Sequence, residues 1–219
     1  CETETTLVLR GLSDAEAAGA MAASMGSSAE VSGAAHLPMY VAARVADGAL
    51  GNDAATLIRI DGFGPSVEAR AAHLGRGLEK VGKVERLDPQ ASRRLWRDVR
   101  DVRPFVDGTQ KPVWRLSVTP TRAHEIVMSL RMQAAIDAFY DWQGGLVWLK
   151  METGEPEADL VRATLRRFGG GHATLVRASE SVRAATAVFE PQPGPLAGLS
   201  HRLKEQFDPK GVLNPGKMG

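Results

Sequence analysis

One arrangement of strand and helix signals constrains this chain more than any other feature, because it recurs along the sequence. "TTLVLRGLSDAEAAGAM", "ATLIRIDGFGPSVEARA" and "VWRLSVTPTRAHEIVMS" each run from an apolar, β-branched segment through a capping or proline signal into a helix. Residues 5–12 read as a strand. Residues 13–26 read as a helix, with Ser13 and Glu16 spaced as a capping box and Gly26 as the stop. Ala17, Ala20, Met21 and Met25 line its inner face. A weaker strand ends at Pro38, and residues 54–63 form the next strand. Residues 64–82 form a helix with Ser66 as its cap and Val67, Ala71, Leu74 and Leu78 inward, and "KVERLD" closes the unit as a strand. The order is β-α-β-β-α-β, the ferredoxin-like arrangement.

A joining helix, "PQASRRLWRDVRDVRPF", leads into the second round. "PVWRLSVTP" is a strand, and "TRAHEIVMSLRMQ" is a helix capped by Thr121 with Ile126, Val127 and Leu130 inward. "DAFYDWQGGLVWLKME" splits at Gly144 and Gly145 into two strands with a tight turn. "EADLVRATLRRFGGG" is a helix and "HATLVRAS" the last strand. The expected fold class is α+β: duplicated ferredoxin-like βαββαβ units, residues 1–88 and 112–177, in one antiparallel sheet with helices on one face. Residues 178–219 follow as a proline-rich connector, a final helix with Leu196, Leu199, Leu203 and Phe207 on one side, and an extended tail.

Composition narrows the function classes. With 219 residues, 43% of them hydrophobic, the chain can bury a sizeable core. Its 27 basic and 26 acidic residues are scattered, with no basic stripe of the kind that neutralises phosphates, so nucleic acid is not an expected partner. No apolar run approaches the roughly 20 residues of a membrane span, and no signal-peptide pattern is present. One cysteine excludes an internal disulfide framework and a cysteine-built zinc site, which suits a reducing compartment; the cytoplasm is expected. The opening "CETETTLVLR" lacks an initiator Met and enters a strand almost at once, which reads as a fragment of a longer chain.

Familiar catalytic motifs are absent: no P-loop, HExxH, GxSxG or EF-hand pattern occurs. Histidines at 36, 73, 124, 172 and 201 lack ligand-like spacing, so no metal is expected. The glycines at 169–171 either approach a phosphate or stop a helix, and their place between helix and strand favours the stop. His172, directly after them, stands where a sheet end meets a ligand; His36, just before Pro38, is a weaker candidate of the same kind. Tryptophans 96, 114, 142 and 148 read as core, although Trp142 and Trp148 flank the glycine turn and would alternatively line a pocket mouth. Arg97, Arg100 and Arg103, at helical spacing with aspartates between, read as a solvated face, or alternatively as a docking surface for an acidic partner. The end, "EQFDPKGVLNPGKMG", is punctuated like a tight loop yet keeps Phe207, Val212 and Leu213. Val212 and Leu213 are expected to plug into an apolar groove, holding Asn214, which has both donor and acceptor groups, in a fixed place.

"FDPKGVLNPGKM" resembles the carboxyl-terminal signature of FAD-linked oxidases of the vanillyl-alcohol oxidase type. "LVLRGL", "DGFGPSVEARAAHL", "LWRDVRDVRPF", "VWRLSVTP", "FYDWQGGLVWL" and "GGHATLVRAS" are similar, in order and wording, to the FAD-binding subunits of glycolate oxidases. The resemblance extends over essentially the whole chain. It implies that residues 1–177 are a substrate-side cap domain and that residues 178–219 lead back onto a flavin domain. The family's glycine-rich pyrophosphate segment has no counterpart, so that amino-terminal FAD-binding domain is expected to be missing here. FAD is the implied cofactor, with Asn214 and Lys217 carried over as FAD-side contacts. The implied reaction oxidises a small 2-hydroxy acid such as glycolate, with hydride passing to FAD. Implied partners are the flavin domain, a sister flavin subunit and an iron–sulfur subunit, in a cytoplasmic complex able to sit peripherally on the inner membrane. The catalytic candidates are His172 as proton acceptor and Arg177 as carboxylate clamp, near opposite ends of one strand. The fragment alone is expected to be inactive. The residues by themselves leave another reading open, a non-catalytic ferredoxin-like ligand-binding or subunit-docking module.

Overall fold

A computed structural model describes residues 2–213 of the chain. The first half comprises β1 (Thr3–Arg10), α1 (Asp14–Met25), β2 (Gly33–Leu37), the short α2 (Met39–Ala42), β3 (Ala55–Gly62), α3 (Gly64–Leu78) and β4 (Val84–Leu87). Helix α4 (Pro89–Arg100) joins it to β5 (Val113–Ser117), α5 (Ala123–Arg131), β6 (Ile136–Asp141), β7 (Leu146–Met151), α6 (Ala158–Arg167) and β8 (His172–Arg177). Helices α7 (Glu180–Ala185) and α8 (Gly194–Phe207) follow. The strands form one eight-stranded sheet in the order β4-β1-β3-β2-β6-β7-β5-β8, and the recorded pairings are antiparallel. Each half repeats the same order, and the halves meet at β2 and β6, where His36 pairs with Tyr140. The duplicated α+β sheet expected from the sequence is the one observed.

Strand alternation distributes the core. Leu7, Leu9, Ile58 and Ile60 face α1 and α3, where Ala17, Ala20, Met21, Val67, Ala71, Leu74 and Leu78 meet them. Val8 and Leu57 point to the other face and pack on Leu95, Trp96 and Val99 of α4. The central strands of the first half are therefore buried on both sides, which is why Leu7, Val8 and Leu9 of β1, and Leu57 and Ile58 of β3, are apolar without alternation. In the second half Trp114, Leu116, Tyr140, Val147 and Leu149 pack beneath α5 and α6. Burying a side chain of leucine size contributes about 1.5–3 kcal/mol, so these layers dominate stability. Helices α1, α3, α5 and α6 share one face, as expected; α4 crosses to the opposite face and covers the first half there.

Local expectations met mixed outcomes. The capping box of α1 is present: Ser13 N donates to Glu16 Oε2 at 2.9 Å, and Ser13 Oγ accepts from Glu16 N at 3.3 Å. Met25 is exposed, however, and Ser24 takes the inner position, donating to the Ala20 carbonyl. Ser66 does not cap α3; Phe63 is the N-cap without a side-chain bond, and Ser66 Oγ accepts from Arg70 Nε at 3.0 Å. Thr121 does not cap α5, because a 3-10 turn over Pro120–Arg122 precedes that helix.

Among the described residues, no apolar groove receives Val212 and Leu213. Val212 and Leu213 are 69% and 62% exposed. Their backbone N–H groups instead donate to the Asp208 carboxylate at 2.9 and 2.8 Å, curling the segment after α8. The expected apolar side of α8 is equally bare: Leu196, Leu199, Leu203 and Phe207 are all exposed. Asn214 and Lys217 lie outside the described residues.

Candidate functional site

Over the second half, the face opposite α5 and α6 carries polar and aromatic groups. Register places Phe139, Trp148, Arg115 and Thr174 side by side on β6, β7, β5 and β8. The neighbouring row is Asp141, Leu146, Ser117 and His172. The alternation that sends Trp114 and Leu116 into the core sends Arg115 and Ser117 onto this face. Arg115, Trp148, Ser117 and Thr174 are half-buried, and His172 is exposed.

Trp142 overhangs this surface. It is 61% exposed, and the Arg115 guanidinium carbon lies 5.4 Å from its ring centroid. The backbone that projects it is unusual: Trp142 and Gln143 have φ of 51° and 62°, the left-handed region that side chains with a Cβ rarely adopt. Two contacts hold the turn. Asp141 Oδ1 accepts from Trp142 N at 2.7 Å, and the chain behind it presses on Pro120 so closely that a Cβ on Gly144 would lie 2.8 Å from the Pro120 carbonyl oxygen. Burial pushes the Asp141 carboxyl above its ordinary value, although the Trp142 N–H and the nearby Arg59 charge oppose the shift.

His172 lies one row from Arg115, on the adjacent strand. Arg177 is elsewhere. A register shift between Val113 and Trp114 sets Arg177 opposite Val113, and five residues of strand separate it from His172 by about 16 Å. Its guanidinium donates to the carbonyls of Phe105 at 2.5 Å and Lys111 at 3.1 Å. The structure therefore does not bring His172 and Arg177 together. Arg177 fastens the segment that enters β5.

The glycines before His172 serve the chain path. Gly170 N donates to Leu165 O at 2.8 Å at the end of α6, and a Cβ on Gly171 would meet Ser117 O at 2.6 Å. His36 is fully buried, with Nδ1 2.9 Å from Thr56 Oγ1 and Nε2 3.3 Å from Asp14 Oδ1, a seam between the halves rather than a sheet-end site. Trp96 and Trp114 are core residues, as expected; Trp148 is half-buried and Trp142 is outside. Arg97, Arg100 and Arg103 are all exposed. Among the described residues, no group of three or more His, Cys, Asp or Glu side chains converges as metal ligands would, and no helix is long and apolar enough to cross a membrane.

Sequence reasoning passed over Arg115 and Asp141. The usable signal was the single charged residue in "VWRLS", which alternation must place on the face away from the helices.

No family model matches the chain. Glycolate oxidase subunit GlcE of Escherichia coli (strain K12) is 33% identical over 169 residues, covering 76% of this chain and 39% of that protein. The chain thus spans well under half the length of this curated relative. Among solved structures, 4-ethylphenol oxidase from Gulosibacter chungangensis, in an isoeugenol complex, matches with a TM-score of 0.58 at 13% identity, covering 99% of this chain and 53% of that one. An alkyldihydroxyacetonephosphate synthase matches with a TM-score of 0.54 at 14% identity, covering 99% and 45%. These two likenesses concern the fold. Together with the GlcE match they bear out the resemblance to FAD-linked oxidases carried by the sequence motifs.

Proposed function

We propose that this chain is the cap and carboxyl-terminal part of an FAD-dependent oxidoreductase that oxidises a small 2-hydroxy acid of the glycolate type. The observation that carries this reading is the 33% identity to a glycolate oxidase subunit across 169 residues. The sheet supports it physically: one face is sealed by helices, while the other, over the second half, presents Arg115, Trp142, Ser117, Thr174 and His172.

When bound, FAD supplies the two-electron acceptor for the hydride of the hydroxy acid. The described residues suit the ring and substrate side of a flavin. They do not suit its pyrophosphate, because the glycines at 169–171 are occupied in ending α6 and passing Ser117. His172, exposed at the sheet end, would accept the substrate hydroxyl proton. Arg177, engaged by two backbone carbonyls, fixes the segment beside the face instead of clamping substrate. Asn214 and Lys217 are proposed FAD-side contacts. The bare apolar side of α8, with Val212 and Leu213, would rest on the flavin domain, since four apolar side chains along one helix otherwise stay in water. Electrons would then pass onward through a sister flavin subunit and an iron–sulfur subunit, in the cytoplasm or at the inner face of the membrane.

Cofactor content tests the division of labour. The full natural chain is expected to purify yellow with stoichiometric FAD and residues 1–219 alone to be colourless. Asn214→Ala in the full chain is expected to weaken flavin retention more than it lowers Tm. A stoichiometric flavin spectrum from residues 1–219 alone would contradict the reading.

A further inference from the structure

We infer that Arg115, seated on Trp142, binds the carboxylate of a small acid anion. Its role in a reaction rests on the function proposed above; the site itself rests on the geometry of β5 and the β6–β7 turn.

Most half-buried arginines of this protein are committed. Arg10 pairs with Glu85, Arg70 donates to the Ala29 and Asp61 carbonyls, and Arg177 is held by Phe105 and Lys111. The Arg115 side chain makes no ion pair or hydrogen bond with the described residues, and its partner is the face of Trp142. A cation–π contact of this kind does not occupy the guanidinium N–H donors with an acceptor oxygen, so they stay available to an anion that enters beside the ring. That geometry suits a planar carboxylate bound through two parallel hydrogen bonds.

The turn that delivers Trp142 is costly. Two consecutive residues with a Cβ are held at positive φ, where a glycine would relax the chain. Packing of Gly144 on Pro120 and the Asp141 bond to Trp142 N sustain the conformation. What it achieves is an exposed indole over Arg115. An exposed tryptophan on a strained turn adds little to the core, so its effect falls on the arginine.

The neighbours set the size of the anion. Ser117 and Thr174 are the short polar residues beside Arg115 on β5 and β8, and each offers a hydroxyl. A small acid held by Arg115 would have these two hydroxyls as neighbours, with His172 one row away on β8. The nearest acidic group of the two rows, Asp141, is engaged by Trp142 N and pushed by burial toward its neutral form, so it competes weakly for Arg115.

Isothermal titration of the full natural chain with oxalate, a small acid that cannot be oxidised as a hydroxy acid, tests the site. FAD content and Tm are measured on the same samples. Arg115→Gln is expected to weaken oxalate binding about tenfold or more, the effect of losing a charge-assisted pair. Arg115→Lys, which keeps the charge but loses the fork, and Trp142→Leu are expected to fall between. Absence of oxalate binding to the natural chain at millimolar concentration overturns the proposal, as does an affinity within twofold of it in Arg115→Gln with Tm retained. Should Arg115→Gln fail to fold, unchanged affinity in both Arg115→Lys and Trp142→Leu overturns it equally. A natural chain without FAD would sink the proposed function, while the oxalate titration would still decide the site.

Discussion

Tyr140 donates its phenolic hydrogen to Asp14 Oδ2 at 2.5 Å across the seam where the two halves of the sheet meet. Arg131 reaches the same oxygen from α5, and His36 faces the other one from β2. Burial pushes the Asp14 carboxyl up, but His36, the Tyr140 hydroxyl and the Arg131 charge outweigh it and hold the group well below the usual carboxylate range. Asp14→Asn is expected to cost about 2–3 kcal/mol and Tyr140→Phe about 1–2 kcal/mol in urea denaturation. The folded pKa lies below the unfolded value of about 3.9, so this contribution is present above about pH 4 and is lost as pH falls toward the folded pKa. The stability gap between the natural chain and Asp14→Asn should therefore narrow in titrations from pH 7 to pH 3.

Lys150 is buried on the sheet, with Nζ 3.0 Å from Asp107 and 2.8 Å from Glu152. Burial opposes its charge, yet Glu152 and Asp107 outweigh that effect and raise its pKa above the ordinary value. Lys150→Ala is expected to cost about 2–4 kcal/mol, because it empties a packed position and strips two carboxylates of a partner. Lys150→Met, which refills the volume, should recover part of this, measured by the shift in urea midpoint at constant m-value.

Gly144 and Gly169 both have positive φ, but only Gly144 has backbone against the place a Cβ would occupy. Gly144→Ala should cost more than about 2 kcal/mol, whereas Gly169→Ala should cost only about 1 kcal/mol from strain. Thermal unfolding of the two variants compares them directly. Equal losses would mean that the turn beneath Trp142 is not held by Pro120.

The bare side of α8 separates the chain by itself from its assembled form. Leu199→Ser with Leu203→Ser should change the stability of residues 1–219 by less than about 0.5 kcal/mol, since both side chains are exposed. In the full natural chain the same pair should lower flavin retention, read as FAD released on gel filtration. Full retention would remove α8 from the proposed contact with the flavin domain.

Much of the fold was legible because strand and helix periods rarely conflict in this chain. The four inward positions of α3 are the four read from spacing, and the Ser13–Glu16 box works as its sequence suggests. Long-range packing was harder. That α4 covers the far face depends on Val8 and Leu57 meeting Leu95 and Val99, contacts between segments many residues apart. Trp142, read first as core, was missed for a similar reason. A tryptophan in a strand-rich stretch reads first as core and only alternatively as rim, and the left-handed backbone at 142 and 143 turns this one outward. Arg115 and Trp142 are 27 positions apart, and only the β5–β7 register with that turn places one on the other. The seam of Asp14, His36 and Tyr140 was hidden likewise, because His36, shortly before Pro38, read as a sheet-end residue facing a ligand until β6 was laid against β2.

Anaerobic absorbance spectroscopy of the full natural chain with glycolate addresses the central assignment most directly. The account predicts an oxidised flavin spectrum whose main visible band bleaches on adding glycolate and returns on adding an electron acceptor. A flavin band that stays unbleached by glycolate, D-lactate and other small 2-hydroxy acids, or a protein with no flavin at all, would contradict it.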